Sequence, residues 1–144
     1  MTRLTKHFTL EELTYSATAI KHGIDNTPNA EQIKNLKALA ETLEEVRAYL
    51  SKKAGKTIPI YIKESNGSGY RNAAVNKLVN GVPNSDHMQG LAADITAPAF
   101  GNVKQVCAAI KESGIKLDQC INEYNKWVHI GVGKRMRNQH FKIG

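Results

Sequence analysis

A long amphipathic segment in the first half of the chain limits the folds that are open to it. Apolar residues recur at helical spacing from about Asn29 to Lys53 and stop before Gly55, a residue type that commonly ends helices. These apolar positions are Ile33, Leu36, Leu39, Ala40, Leu43, Val46 and Leu50. The opposite face is charged, so the helix buries one side only, and we expect that side to pack on a sheet.

The second half of the chain is dominated by short strand patterns. Alternation and branched residues predict strands over 57–63, 91–96, 117–123 and 127–132. Shorter helices are predicted over 10–16, 72–79 and 102–113. Because helices come first and strands follow, the order predicts an α+β domain with helices packed on a small antiparallel sheet. A chain of 144 residues is one ordinary domain, and we assign residues 1–144 to it.

The charge of the chain bears on its partners. A formal net charge of +7 favours an anionic partner, such as nucleic acid, acidic lipid or the bacterial cell wall, without choosing among them. This charge is the sole argument for a nucleic-acid binder. Because no nucleic-acid motif is present and aromatic residues are few, we expect no nucleic-acid partner. No segment is long enough to span a membrane, and residues 1–7 lack the apolar run of a signal peptide. We therefore expect no stable membrane insertion, and synthesis in the cytoplasm.

The two cysteines indicate a reduced protein. Cys107 falls on the apolar side of a predicted helix, and Cys120 falls within a predicted strand. Two cysteines do not make a disulfide framework, so both are expected to be buried thiols.

Two histidines and one aspartate offer the donor set of a hydrolytic metal site. His87 and Asp94 are separated by Gly90 and small alanines, and His129 follows in the last predicted strand. Zinc in hydrolytic sites takes three protein ligands and leaves a fourth position for water. Strand alternation places Asp94 and His129 on the less apolar faces of their strands. A single histidine in an apolar strand is more often a structural residue, so these residues alone leave both interpretations open.

Several motifs follow one another in a fixed order along the chain. They are Ser-Gly-Tyr-Arg at 68–71, Val-Asn at 75–76, Ser-x-His-x-x-Gly-x-Ala-x-Asp at 85–94 and Trp-Val-His at 127–129. Together they resemble the zinc D-Ala-D-Ala carboxypeptidase and L-alanyl-D-glutamate peptidase family of peptidoglycan hydrolases. The resemblance extends over nearly the whole chain, up to about residue 132.

This resemblance implies a fold, a metal and site residues. The fold is hedgehog/DD-peptidase-like, with a zinc site on the sheet, and the Zn²⁺ ligands are His87, Asp94 and His129. Arg71 is implied to recognise a substrate carboxylate or to stabilise the oxyanion, although a surface salt bridge is the alternative for an arginine. The other substrate-binding residues that we carry over are Ser85, Tyr70 and Trp127.

The implied substrate is the peptide stem of bacterial peptidoglycan, hydrolysed at a D-Ala-D-Ala or an L-Ala-D-Glu bond. The chain also resembles compact phage or prophage lysis enzymes, so we expect a monomeric endolysin that reaches the wall after release, or a virion-borne enzyme. A different class of function is a catalytically inactive module that keeps the zinc fold and binds the cell wall or a protein partner.

The general base departs from the family pattern. Many members place an acid three positions before the histidine of the late Trp-Val-His motif, where this chain has Lys126. Glu123 is the nearest acid, and hedgehog-type relatives carry a glutamate at this larger separation. A three-residue loop, 124–126, would pair Glu123 with Trp127 and place it on the face of His129, whereas a two-residue turn would aim it away. We predict the first arrangement; in the second, an acid such as Asp86 would have to serve.

A second departure precedes Arg71. Residues 64–67 intervene between the predicted strand and the Ser-Gly-Tyr-Arg motif. They form either a longer loop at the rim of the cleft that alters substrate choice or a harmless surface insertion.

Overall fold

The long amphipathic segment forms one continuous helix. The computed structural model describes residues 2–63 and 67–144. The helix, α3, spans Ala30–Ala54, with Asn29 as its N-cap and Gly55 in the left-handed conformation at its end. All of the predicted apolar positions except Ile33 are buried. The sequence prediction of this helix is confirmed.

The remaining elements follow the predicted order. The other helices are α1 (Leu10–Thr14), α2 (Ala17–His22), α4 (Ala73–Leu78) and α5 (Val103–Ser113), with a short 3₁₀ turn at Asp86–Gln89. The strands are β1 (Tyr61–Ile62), β2 (Ala92–Thr96), β3 (Gln119–Glu123), β4 (Trp127–Gly131) and β5 (Gln139–Ile143). They form one five-stranded sheet in the order β1-β2-β4-β3-β5. The α+β class is therefore confirmed.

The sheet is mixed, which corrects the prediction of an antiparallel sheet. The pairs β1–β2, β2–β4 and β3–β4 are antiparallel, but β5, which was not predicted, runs parallel to β3. Strand β4 ends beside the start of β3. The segment that connects β4 to β5 passes the start of β3, and β5 then runs alongside β3 in the same direction. Asp118 fixes this crossing, because its carboxylate accepts hydrogen bonds from the backbone and side chain of Arg137.

The first predicted strand is much shorter than expected. Strand β1 covers Tyr61 and Ile62, which pair with Thr96 and Ile95 of β2, whereas the prediction covered 57–63. Pro59 has no amide hydrogen to give to a sheet. The amide of Ile58 donates to Ser51 Oγ at 2.9 Å instead of to a neighbouring strand. Ile58 and Ile60 are nevertheless buried in the core.

The hydrophobic core lies between one face of the sheet and the helices α3 and α5. Alternate residues of the central strands contribute to it: Ala93, Ile95, Cys120, Val128 and Ile130. Cys120 is buried as expected, Cys107 is half-buried, and both are free thiols. The opposite face of the sheet carries the polar residues described below. No helix among the described residues has the length and apolar character needed to cross a membrane.

Candidate metal centre

Three separate elements bring His87, Asp94 and His129 together. His87 lies in the 3₁₀ turn, Asp94 in β2 and His129 in β4, and the last two are direct partners in the β2–β4 register. One ligand atom from each side chain lies within 4.8 Å of those of the other two. All three side chains are buried. In the described part of the chain, this is the one group of three histidine, cysteine, aspartate or glutamate residues that could hold a metal ion.

The carboxylate of Asp94 is the centre of the cluster. Its Oδ1 lies 3.2 Å from Nδ1 of His129 and 3.4 Å from Nε2 of His87. The two imidazole rings meet edge to face, with their centroids 5.2 Å apart. Two imidazole nitrogens and one carboxylate oxygen are the donor set of hydrolytic zinc sites. The residues present therefore fit such an ion.

A backbone carbonyl orients the ring of His87. Nδ1 of His87 lies 2.8 Å from the carbonyl oxygen of Gly69, which leaves Nε2 facing Asp94. Such a partner fixes the tautomer and the direction of a metal-binding histidine. Gly69 is packed so closely that a Cβ there would overlap the backbone carbonyl of Leu13. Glycine is therefore required for this approach.

The loop that carries His87 is fastened to α3. Ser85 caps the 3₁₀ turn by accepting the amide hydrogen of His87, and Gly90 ends the turn at φ +74°. A Cβ at Gly90 would lie 2.7 Å from the carbonyl oxygen of Gln32 in α3. Gln32 and Asn35 donate side-chain hydrogen bonds to backbone carbonyls of the same loop. The long helix thus positions His87 relative to the other two residues of the cluster.

The electrostatics of the cluster favour a charged pair. Burial would raise the pKa of Asp94, but the charge and hydrogen bonds of His87 and His129 hold it well below its usual range. Burial would lower the pKa of His129, but the hydrogen bond and charge of Asp94, with smaller contributions from Glu123 and Asp86, raise it. A site that stabilises both a buried cation and a buried anion is suited to a divalent ion in place of the proton.

Glu123 lies beside this cluster, as the hairpin geometry predicted. The β3–β4 register pairs Glu123 with Trp127, so the three-residue loop is confirmed. Oε1 of Glu123 is 3.9 Å from Nδ1 of His129, and Oε2 accepts a hydrogen bond from Trp127 Nε1 at 3.0 Å. Lys126 is exposed in the turn, and Asp86 lines a different cavity. Glu123 is therefore the acid that the structure brings to the metal cluster.

Arg71 lies at another side of the same cleft. Its Nε donates to Asn76 Oδ1 at 2.9 Å, and its Nη1 donates to the carbonyl of Gly67 at 3.2 Å. Burial lowers the pKa of Arg71, an effect that the charges of Asp94 and Glu123 oppose. Asn76, itself buried, was part of a quoted motif but received no role from the sequence. Its presence in that motif was the signal that could have indicated a contact with Arg71.

The cleft has a volume of about 410 Å³ and contains most of the predicted residues. Arg71, Ser85, Glu123 and Trp127 line it together with the three metal-binding candidates. Tyr70 does not, because its side chain is 4% exposed and packs in the hydrophobic core. The intervening segment before Arg71 falls largely on residues 64–66, which lie outside the described residues.

The comparison with protein families agrees with this geometry. The model of the family described as Peptidase M15 matches residues 6–131, which include every residue of the cleft. The chain belongs to the peptidase M15 family. M15 peptidases are metal-dependent, and the His-Asp-His cluster supports a metallopeptidase. No curated protein matches the chain at a significant level.

Proposed function

We propose that this M15 peptidase is a zinc enzyme that hydrolyses an amide bond in the peptide stem of bacterial peptidoglycan. The single observation that carries the proposal is the arrangement of one cleft. A buried His-Asp-His cluster lies at its floor, with the carboxylate of Glu123 3.9 Å from one of the imidazoles. A half-buried guanidinium, that of Arg71, shares the same cleft.

We assign the zinc ligands to His87, Asp94 and His129. Bound zinc polarises a scissile carbonyl and lowers the pKa of a coordinated water to about 7. The two imidazoles must be neutral to coordinate the ion, and the carboxylate must be charged. Asp94 meets this requirement at all ordinary pH values, because its pKa lies well below the usual range.

Glu123 is assigned as the general base and then the general acid. Its Oε1 faces the cluster and takes a proton from the attacking water as the oxygen forms its bond to the carbonyl carbon. When the carbon–nitrogen bond breaks, the same carboxyl group gives that proton to the leaving amine. The carboxylate of Glu123 is thereby restored, and the products are one carboxylic acid and one amine, which at neutral pH become a carboxylate and an ammonium group.

Arg71 is assigned to the substrate. Its guanidinium stays charged at any working pH and is fixed on one edge by Asn76 and Gly67. A planar guanidinium binds a carboxylate through parallel hydrogen bonds, and it also stabilises negative charge on a carbonyl oxygen. The first use selects a peptide with a carboxylate close to the scissile bond, which stem peptides of peptidoglycan provide.

The net charge and the family resemblance support the biological setting. A protein of net charge +7 associates with a wall polymer rich in carboxylates, most strongly at low ionic strength. We propose a monomeric phage or prophage lysis enzyme that acts on the wall after its release from the cytoplasm, or a virion-borne one. This part of the proposal depends on the resemblance to compact lysis enzymes.

Digestion of purified peptidoglycan tests the function directly. The zinc-loaded protein is incubated with sacculi, and the soluble products are analysed by mass spectrometry, with and without a chelator. Fragments that correspond to cleavage of one stem-peptide bond, absent with the chelator, support the proposal, and their masses identify the bond. Sedimentation of the protein with uncleaved sacculi would instead favour an inactive binding module.

A Glu123→Gln variant is the matched control for this assay. It keeps the size and shape of the side chain but has no carboxylate to take a proton. We expect it to bind zinc as the wild type does and to release fragments at least about a hundredfold more slowly. Undiminished hydrolysis by this variant would exclude Glu123 from the mechanism.

A further inference from the structure

Trp127 is the only tryptophan of the chain, and its indole is in contact with Glu123. The indole Nε1 donates to Oε2 of Glu123 at 3.0 Å. The two residues are direct partners in the β3–β4 register, so the hydrogen bond joins side chains on one face of neighbouring strands. Oε2 is therefore occupied by the indole, and Oε1 is the oxygen nearer to His129.

The indole is itself in contact with two further side chains. Nζ of Lys63 lies 4.7 Å from the centroid of the ring, and the ring of Tyr124 lies 6.2 Å away in a tilted arrangement. A cation over an indole face is attracted by the negative charge of the ring face. These contacts restrict the ring of Trp127 and so the direction of its N–H group.

The hairpin turn adds a further restraint. Asn122 and Asn125 exchange two hydrogen bonds of 2.9 Å across the turn. Tyr124 and Asn125 both adopt positive φ, which shapes the three-residue loop. Because the loop length decides that Glu123 faces Trp127, this fixed turn keeps the donor and the acceptor opposite each other.

We propose that Trp127 is a positioning residue for Glu123: its indole N–H fixes one carboxylate oxygen so that the other is presented to the metal centre. A glutamate side chain has several rotatable bonds. Fixing it before the reaction lowers the entropic cost of ordering it in the transition state. The sequence had predicted Trp127 as a substrate contact, and the proposal gives it a different task. It rests on the proposed function, in which Glu123 is the base.

The single tryptophan makes a site-specific chemical test available. Biosynthetic incorporation of β-(3-benzothienyl)alanine in place of tryptophan changes only residue 127 and exchanges its N–H group for sulfur. Incorporation of 5-fluorotryptophan retains the N–H group and provides the matched reference. Zinc content and circular dichroism of both proteins establish that each is folded and loaded before the kinetics are compared.

The kinetic result expected is a loss in kcat without a change in substrate binding. Relative to the fluorotryptophan protein, kcat of the benzothienylalanine protein falls about 10–100-fold, because a charge-assisted hydrogen bond is lost. KM stays within about twofold. Equal kcat values for the two proteins overturn the proposal. A raised KM with unchanged kcat also overturns it, in favour of a substrate contact.

A second measurement does not depend on activity. The indole N–H of Trp127 gives one resonance in a ¹⁵N–¹H spectrum, in the metal-free and in the zinc-loaded protein. We expect it to lie downfield, and to move upfield and exchange faster with solvent in Glu123→Ala. An indole resonance unaffected by this substitution contradicts the proposal. An inactive wild-type protein would contradict the proposed function and with it the positioning role, whereas equal kcat values in active proteins contradict the positioning role alone.

Discussion

The carbonyl oxygen of Gly69 lies 2.8 Å from Nδ1 of His87, which makes a backbone group the orienting partner of a metal-binding candidate. This carbonyl reaches the imidazole because residue 69 has no side chain between it and the carbonyl of Leu13. A glycine outside the metal cluster therefore determines which nitrogen of His87 is offered to an ion.

Gly69→Ala tests this relationship. The added methyl group forces the 68–71 segment away from Leu13 and moves the carbonyl from His87, and loss of such a partner lowers metal affinity about 10–100-fold. Competition with a chromophoric chelator measures the zinc affinity. Gly114→Ala is the control: Gly114 has positive φ, so this change strains the backbone as well, but the residue has open space around it and ends α5 away from the cluster. Equal zinc affinities in the two variants would contradict the prediction.

Each of the three metal-binding candidates is required for zinc binding. We expect His87→Ala, Asp94→Asn and His129→Ala to retain less than one tenth of the zinc content of the wild type after dialysis, because three protein ligands leave no spare donor. Elemental analysis measures the content. His22→Ala, at the exposed end of α2, is the control and keeps the wild-type content.

We expect the zinc affinity to depend on pH up to values higher than those at which an ordinary histidine titrates. The charge and hydrogen bond of Asp94 raise the pKa of His129 above 6.5, so its proton competes with the metal at higher pH than in an isolated histidine. As the pH falls through this raised pKa, the affinity decreases by about tenfold per pH unit for one displaced proton. Isothermal titration calorimetry at several pH values measures this slope. An affinity that is constant from pH 8 to pH 6 would exclude this competition.

Arg71→Lys separates substrate recognition from metal binding. Lysine keeps the positive charge but loses the planar donor pair, so we expect kcat/KM to fall about 10–100-fold with the zinc content unchanged. Arg47→Lys on the helix α3 is the matched substitution outside the cleft, and its kcat/KM stays at the wild-type value. An unchanged kcat/KM in Arg71→Lys would remove this residue from the substrate site.

Asp118 stabilises the C-terminal part of the fold. It is 1% exposed and accepts three hydrogen bonds from Arg137, so Asp118→Asn lowers the free energy of unfolding by about 1–2 kcal/mol. Urea denaturation measures the change. Arg135→Ala, which removes an exposed charge nearby, is the control and stays within about 0.5 kcal/mol of the wild type.

The same residue gives an acid dependence of stability. The hydrogen bonds of Arg137 lower the pKa of Asp118, so its contribution is present above the unfolded pKa near 3.9 and is lost as the pH falls through the lower folded value. The stability difference between the wild type and Asp118→Asn therefore narrows below pH 4. A difference that is constant from pH 6 to pH 2 would contradict the assignment.

Local patterns were sufficient to predict the elements that carry the cleft. Helix α3 has its caps and its apolar period within one segment, so no distant contact was needed to define it. The face of Glu123 followed from the loop length and the two-residue period of strands. The partnership of Asp94 and His129 across β2 and β4 joins residues 35 positions apart, and only the family resemblance brought them together beforehand.

Distant contacts explain what the sequence did not reveal. Strand β5 is exposed along most of its length, and its place beside β3 depends on the ion pair between Asp118 and Arg137. Tyr70 is next to Arg71, a cleft residue, in the sequence. Its backbone amide, however, donates a hydrogen bond to the carbonyl of Leu13, and its ring lies in the core. Such outcomes depend on which surfaces meet in the folded chain, and no local period encodes them.

The parallel pairing of β5 with β3 has a consequence for any shortened form of the protein. A chain ending at Gly131 would keep the whole family-matched region and all three metal-binding side chains. It would also expose the outer edge of β3, the strand that holds Glu123, as a row of unsatisfied amide and carbonyl groups. Strand addition between molecules at that edge would lead to self-association through the strand that carries Glu123, so the segment that follows His129 keeps this edge covered within one molecule.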